Sequence, residues 1–207
     1  MKEATVITDL DALIDEAARV IRRGGVCVIP TETAYGLAAS PRFQKALERI
    51  YEIKKRPRNK PLLLLVNSID QAPVELEGVH AYVFELMKRF WPGPLTLLLP
   101  ASSKASPFLT AGTKKVGVRI SSHPVAQKVI ERVGGAVTGT SANISGKGLT
   151  KTISQVKAQL VDPMPDFFLD AGAIPEGPSS TIVDCCGDVP VIIRQGAVVK
   201  EDILSVC

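Results

Sequence analysis

Five cations fall within seven residues at Lys54-Lys55-Arg56-Pro57-Arg58-Asn59-Lys60, and Pro61 closes the run. The two prolines stiffen the backbone and fix where the cations point. A rigid Lys/Arg cluster is suited to gripping phosphate, with arginine binding in a bidentate way. A solvated charge run is the other reading that composition leaves open. A second segment, Thr138-Gly139-Thr140-Ser141-Ala142-Asn143-Ile144-Ser145-Gly146, is dense in hydroxyls and small residues. Such a loop can aim N–H and O–H groups at phosphate or ribose, or it is an ordinary turn whose Asn and Ser satisfy their own backbone. A third, Thr31-Glu32-Thr33-Ala34-Tyr35-Gly36, offers three hydrogen-bonding side chains and an aromatic where an apolar stretch ends. Its plain alternative is a helix cap made by Thr31 or Thr33. Arg119 and Arg194 lie inside the apolar stretches Val116–Ile120 and Val191–Arg194. A buried arginine needs a partner, and a substrate carboxylate and an internal Asp or Glu serve equally well.

Other chemistry is excluded by what is missing. There is no GxxxxGK[ST], no GxGxxG after a strand, no GxSxG and no HExxH, so P-loop, Rossmann, serine-hydrolase and zincin sites are unsupported. His80 and His123 are the only histidines. His123, between Ser122 and Pro124, reads as a helix cap rather than a general base. The cysteines Cys27, Cys185, Cys186 and Cys207 make no CxxC spacing, which argues against a zinc ribbon or a thioredoxin-type site and for reduced cytosolic thiols.

Loops of this kind need elements to position them, and the sequence supplies an alternating set. Helices are predicted over 10–21, 43–53, 80–90, 124–133 and 152–160, with Gly24-Gly25 ending the first and Pro124 opening the fourth. Strands are predicted over 26–29, 62–66, 95–99, 116–120, 136–138, 167–169, 181–183 and 191–194. Leu62–Val66 is apolar throughout and should be covered on both faces. Interleaved strands and helices give an α/β fold. Gly187-Asp188 predicts a closing antiparallel hairpin, and hence a mixed sheet. In such sheets ligands gather at the strand ends where these loops lie.

The whole chain, 207 residues with 45% hydrophobic and 22% charged, is expected to form one domain over 1–207 with a core that needs no disulfide or metal. The net charge of +4 permits anionic partners but is far from histone-like. The longest apolar runs are too short for a bilayer and the N-terminus lacks a signal-peptide core, so a cytoplasmic, non-membrane protein is expected.

These segments resemble the YrdC/Sua5 family of threonylcarbamoyl-AMP synthases. The resemblance rests on PTETAYGL (30–37), IKKRPRNKPLLLLV (53–66), WPGPLTLLLP (91–100), VGVRISSHPVA (116–126), GTSANISGK (139–147), PSSTIVD (178–184) and IIRQGAV (192–198), in family order. The paired signature Lys-x-Arg and Ser-x-Asn appears as Lys54-x-Arg56 and Ser141-x-Asn143. The extra carboxyl-terminal domain of the Sua5 branch has no counterpart in the sequence, which resembles the short single-domain YrdC/TsaC-like branch.

The resemblance implies a twisted mixed parallel/antiparallel sheet, surrounding helices and a large concave positive cavity. It implies a nucleotidyltransferase that condenses L-threonine, bicarbonate or CO2 and ATP to threonylcarbamoyl-AMP and pyrophosphate, for the t6A modification at position 37 of ANN-decoding tRNAs. By position, Lys54 and Arg56 match the catalytic pair at the triphosphate, with Lys60, Ser141, Asn143 and Arg194 also at ATP. Thr33, Tyr35, Arg119, Gly139 and Ser180 match positions around threonine. Mg2+ is implied with ATP, riding on phosphates and water rather than on a protein carboxylate cluster. Implied partners are other t6A-pathway proteins and tRNA or double-stranded RNA.

Two departures bear on the pocket: Leu65 stands where relatives carry a polar residue, and Ser179 precedes the Ser-Thr pair. A non-catalytic RNA-binding module of the same fold is the rival reading, though the sequence lacks interleaved basic and aromatic residues. The intact signature pairs argue against a YciO-like protein, and the missing acylphosphatase and zinc-finger regions against a hydrogenase-maturation carbamoyltransferase.

Overall fold

A computed structural model describes residues 9–206. Cys207 and the first eight residues, on which part of the N-terminal reading fell, lie outside the described residues. The first helix, α1 (Leu10–Arg22), opens on Asp9, whose carboxylate accepts the Asp11 amide at 3.0 Å. It buries Ile14, Ala17, Ala18 and Ile21 on one stripe, the spacing of a helix that covers a sheet.

A hairpin follows. Strand β1 (Cys27–Pro30) pairs antiparallel with β2 (Tyr35–Ala38). Thr31 to Ala34 is therefore the turn between two strands: the expected loop holds over these residues, its second half is β2, and no helix cap forms here. The Thr31 hydroxyl donates to the Ala34 carbonyl at 2.6 Å and accepts the Thr33 and Ala34 amides, so the side chain closes the turn itself.

The chain continues through α2 (Gln44–Lys54), β3 (Leu64–Leu65), α3 (Ala81–Phe90), β4 (Leu95–Pro100), the short α4 (Pro107–Thr110) and β5 (Lys115–Arg119). Next come α5 (Pro124–Val133), β6 (Val137–Thr138), β7 (Thr140–Ser141), α6 (Ile153–Gln159), β8 (Phe167–Phe168), β9 (Thr181–Asp184), β10 (Val191–Arg194) and α7 (Lys200–Leu204). His123 caps α5 as expected, accepting the Val125 amide at Nδ1, with Pro124 in the first turn. Thr152 and Gln155 form a reciprocal capping box on α6. Cys27 and Cys186 are free thiols.

The strands form two mixed sheets rather than the single sheet expected. One has the order β7-β2-β1-β8 and the other β10-β9-β4-β5-β3-β6. In the smaller, β1 and β8 run parallel and the other pairs antiparallel. In the larger, β4–β9 and β3–β5 are parallel. β9 and β10 pair antiparallel as expected, joined by residues 185–190 rather than a two-residue turn. β3 lies between β5 and β6 and is fully buried, so its apolar composition follows from cover on both faces.

The two sheets are joined where β6 gives way to β7. There the Thr138 hydroxyl accepts the Ala39 amide and donates to the Leu37 carbonyl, both at 3.0 Å. The main core collects Val28, Leu37, Leu47, Leu64, Leu97 and Val118 with their neighbours. A second core, under α1 and α5, joins Ile14, Ile21, Ile29, Leu65, Val129 and Ile130. Each such fully buried aliphatic contributes about 1.5–3 kcal/mol relative to exposure. Among the described residues no helix is long and apolar enough to cross a membrane.

Candidate active site

Residues of both sheets and of the basic loop enclose a cavity of about 310 Å3. Arg56, Lys60, Arg119 and Arg194 line it, and among the lining residues there is no carboxylate. Leu62, Leu63, Leu98 and Ile182 give it an apolar wall, while Thr33, Thr96, Ser141, Ser179 and Ser180 add hydroxyls. A concave space with convergent cations and hydroxyls on an apolar ground suits a small anionic ligand.

Arg119, at the end of β5, is 3% exposed. Its Nη1 lies 3.5 Å from Glu32 Oε1 and 3.3 Å from Thr33 Oγ1. Glu32 is itself held by the Ser121 hydroxyl, which donates to its other carboxylate oxygen. An internal acid is thus present, as one of the two sequence readings required, yet it does not complete the arginine. Among the described residues Arg119 Nε has no hydrogen-bond partner, and neither does Glu32 Oε1. Burial pushes the guanidinium down from its ordinary value and Glu32 opposes that. A buried guanidinium with an empty donor costs free energy unless a further acceptor arrives.

Arg194 approaches from β10. It donates from Nε and Nη2 to the Ser180 carbonyl at 3.1 and 2.7 Å, and from Nη2 to the Ser180 hydroxyl at 3.1 Å. Ser180 Oγ is also 3.1 Å from Thr96 Oγ1. The approach needs Gly196, where a Cβ would fall 2.2 Å from the Ser179 carbonyl oxygen. Burial and the nearby positive Arg119 both push the Arg194 guanidinium down. Two cations held close with no acid lining the space between them make a site for an anion.

The basic loop is built differently. Arg56 donates from Nε and Nη2 to the carbonyls of Lys60 and Pro61 at 3.2 and 2.9 Å, so it cross-braces its own loop. The Arg58 guanidinium lies 5.1 Å from the Tyr51 ring centroid and 5.4 Å from that of Phe108, a cation–π seat that helps fix the loop. Lys60 is exposed at the cavity edge. The loop is thus braced by arginine contacts as well as by its prolines.

Lys54 and Asn143 are placed otherwise than the signature suggests. Neither lines the cavity. Lys54 is 1% exposed at the end of α2, and its ammonium donates to the Ser141 carbonyl, to the Asn143 carbonyl at 2.9 Å and to Asn143 Oδ1 at 3.3 Å. Three donors meet three acceptors, and the hydroxyl-rich segment is fastened to the helix end. Burial, with a smaller push from Arg56, brings the ammonium down to about 7. Ser141, which does line the cavity, donates to Asn143 Oδ1 at 2.5 Å.

Tyr35 reaches the cavity wall, but its hydroxyl donates to the Gly172 carbonyl at 2.6 Å and accepts the Ala171 amide at 3.1 Å. That hydroxyl is committed to the fold. Gly139 is required by close approach, because a Cβ there would lie 2.4 Å from Leu65 Cγ. Leu65 itself packs into the second core and does not line the cavity, so it bears on packing rather than on the ligand. Ser179 does line it. Sequence reasoning missed Ser121 and Lys151. Ser121 orients Glu32, and Lys151 is 6% exposed, with its ammonium bonded to the Thr33 carbonyl at 2.6 Å. A lysine between two threonines carries no pattern that would have marked it.

Comparison with known proteins places this geometry. Residues 19–196 match the Sua5/YciO/YrdC family, described as "Telomere recombination". A Bacillus subtilis protein named threonylcarbamoyl-AMP synthase is 38% identical over 95% of this chain and 57% of its own length. The structure of Pyrococcus abyssi Sua5 complexed with L-threonine superposes with a TM-score of 0.87 at 36% identity, over 93% of this chain and 56% of that one. Escherichia coli YciO gives 0.80 at 27% identity, over 93% of each chain. The chain thus spans a little over half the length of the first two of these relatives. A family match over most of the chain, and a shared fold at this identity, establish that the chain belongs to the Sua5/YciO/YrdC family.

Proposed function

We propose that this protein is a cytoplasmic nucleotidyltransferase that forms threonylcarbamoyl-AMP from L-threonine, bicarbonate or CO2 and ATP, acting within the single domain 1–207. The observation that carries the reading is Arg119. It is buried in the wall of a cation-lined cavity with no carboxylate among its lining residues, and among the described residues its Nε–H has no acceptor. The α-carboxylate of an amino acid supplies that acceptor. Two further findings support the choice of amino acid: the L-threonine complex of Pyrococcus abyssi Sua5 and the synthase names of the relatives.

In this reading Arg119 and Thr33 hold the threonine carboxylate, and Ser180 meets the polar part of the side chain; Arg194, which the resemblance puts at ATP, is bonded to Ser180 and is taken here on the threonine side instead. Bicarbonate joins the threonine amine with loss of water, giving an N-carboxy-threonine. Its new carboxylate attacks the α-phosphorus of ATP, a bond forms between that oxygen and phosphorus, and the bond to the β-phosphate oxygen breaks. Pyrophosphate leaves with the electron pair. Such a displacement needs alignment and positive charge more than covalent help. Arg56 and Lys60 supply charge at the triphosphate, and Ser141, whose hydroxyl proton goes to Asn143, offers its oxygen as an acceptor to the nucleotide. Lys54 and Asn143 act by fastening the Ser141 segment, as positioning residues.

Mg2+ enters as the ATP complex. Among the described residues no group of three or more His, Cys, Asp or Glu is placed to hold an ion, and the cavity wall offers no carboxylate. Phosphate and water oxygens are its fitting ligands. The product serves t6A formation at position 37 of ANN-decoding tRNAs, through partner proteins that transfer the threonylcarbamoyl group, with tRNA as a further contact. The test is incubation with ATP, bicarbonate and each amino acid in turn, with mass analysis. An acyl-adenylate formed with threonine and pyrophosphate released in equal amount is expected. RNA binding with no pyrophosphate release would overturn the reading in favour of a binding module.

A further inference from the structure

Lys151 lies outside the cavity wall and takes no part in the chemistry above, yet it is built into the fold on every side. Its amide donates to Gln155 Oε1 at 2.7 Å and its carbonyl accepts the Ile174 amide at 2.8 Å. The neighbouring Thr150 carbonyl accepts the Tyr35 amide at 3.0 Å. The ammonium is therefore held at a fixed point ahead of α6. From there it donates to the carbonyls of Thr33 at 2.6 Å, Pro175 at 3.0 Å and Gly177 at 3.2 Å. Burying an ammonium is tolerable only with its donors occupied, and here all three are.

The three acceptors belong to two loops far apart in the chain. Thr33 holds Arg119. Residues 175–178 are exposed and lead straight into Ser179 and Ser180, the latter holding Arg194. Pro175 and Pro178 have no N–H to offer. Among the described residues, the hydrogen bonds to Lys151 are the only ones made by residues 175–178.

We infer that Lys151 is a positioning residue that couples the loop aiming Arg119 to the loop aiming Arg194, so that the two guanidinium groups close on one ligand together. The inference rests on the reading of that region as the threonine site. Lys151→Met keeps the length and apolar stem of the side chain and removes the donors. It should weaken threonine binding about tenfold while ATP binding stays within about twofold, both by calorimetric titration. It should also speed Glu-specific proteolysis after Glu176 by about tenfold, and threonine should slow that cleavage in the wild type. Lys151→Arg, which keeps a charged donor, should fall between the two, and it carries the same comparison if the methionine variant does not fold.

Threonine and ATP affinities falling together, in step with a lower melting temperature, would show a merely structural residue and overturn the inference. So would wild-type threonine affinity in Lys151→Met. If the wild type itself binds no threonine, the threonine reading falls; cleavage after Glu176 then decides alone, and an unchanged rate in Lys151→Met overturns the coupling.

Discussion

Two regions of one cavity wall carry positive charge in opposite ways. Around Arg119 the cation is buried, its countercharge Glu32 stands behind the wall, and among the described residues one donor is left without an acceptor. Around Arg56 and Lys60 the cations are half-buried or exposed, and the arginine donors that are bonded serve the loop's own carbonyls. The first arrangement is expensive when empty and selective when filled, because a desolvated guanidinium asks for one acceptor geometry. The second tolerates many geometries, since solvent and salt share in the interaction. A compact carboxylate suits the one and a flexible polyphosphate the other.

The largest effect should come from Arg119→Lys. Loss of the planar fork should raise the apparent threonine KM by about 10- to 100-fold and leave ATP affinity nearly unaltered. Threonine titrations beside thermal melts check this. A lower melting temperature at every threonine concentration with a normal KM would reduce Arg119 to a partner of Glu32 and erase the contrast.

Behind the second region, Lys54 should give a pH signature. Its ammonium, ordinarily near 10.5, is brought down to about 7 by burial. Between those values the unfolded chain binds more protons than the folded one, so stability rises with pH across the window, by at most about 1.4 kcal/mol per unit. Urea unfolding at several pH values should show the slope in the wild type and not in Lys54→Met. A flat wild-type profile would mean that the three oxygen acceptors outweigh desolvation.

Smaller again, Arg56→Gln and Lys60→Gln should each weaken ATP by about fivefold with threonine unaffected, since partly solvated charge contacts are worth about 1 kcal/mol. Equal losses for both ligands would merge the two regions into one. The smallest effect expected is that of salt. A rise from low to high ionic strength should weaken ATP two- to threefold more than threonine, because exposed charges are screened and buried ones much less so. Parallel salt profiles would contradict the distinction directly.

What the sequence made legible follows from where information is local. Ile14, Ala17 and Ile21 fix α1 by spacing, and Pro124 with His123 marks the start of α5. β2 was hidden because Tyr35-Gly36-Leu37-Ala38 is buried on both faces and shows no alternation. The split into two sheets was hidden because β3, β6, β7 and β8 are two residues long, and nothing in so short a segment says which neighbour it will find. In the site, Arg119 announced itself as a charge in an apolar strand. Lys54 did not announce its direction. A lysine in a basic run reads the same whether it points at a ligand or back at its own fold, and only three-dimensional packing decides. Lys151 was invisible for the same reason, without even a basic run around it.

The bond that joins the sheets has a consequence for the order of events in synthesis. Thr138 must find Leu37, 101 positions earlier, and the cavity wall draws on residues from Thr31 to Arg194. Contacts so distant in the chain form late, after the entropy of closing a long loop has been overcome. A ribosome adding about 5–20 residues per second would hold helix α1 and the first hairpin for several seconds before Arg194 emerged. During that interval the nascent protein has a fold in the making and no binding site, so its ligands can neither guide nor stabilise the early stages. Binding is available only once β10 has been made, and a truncation anywhere before β10 should leave a product blind to the ligands proposed above.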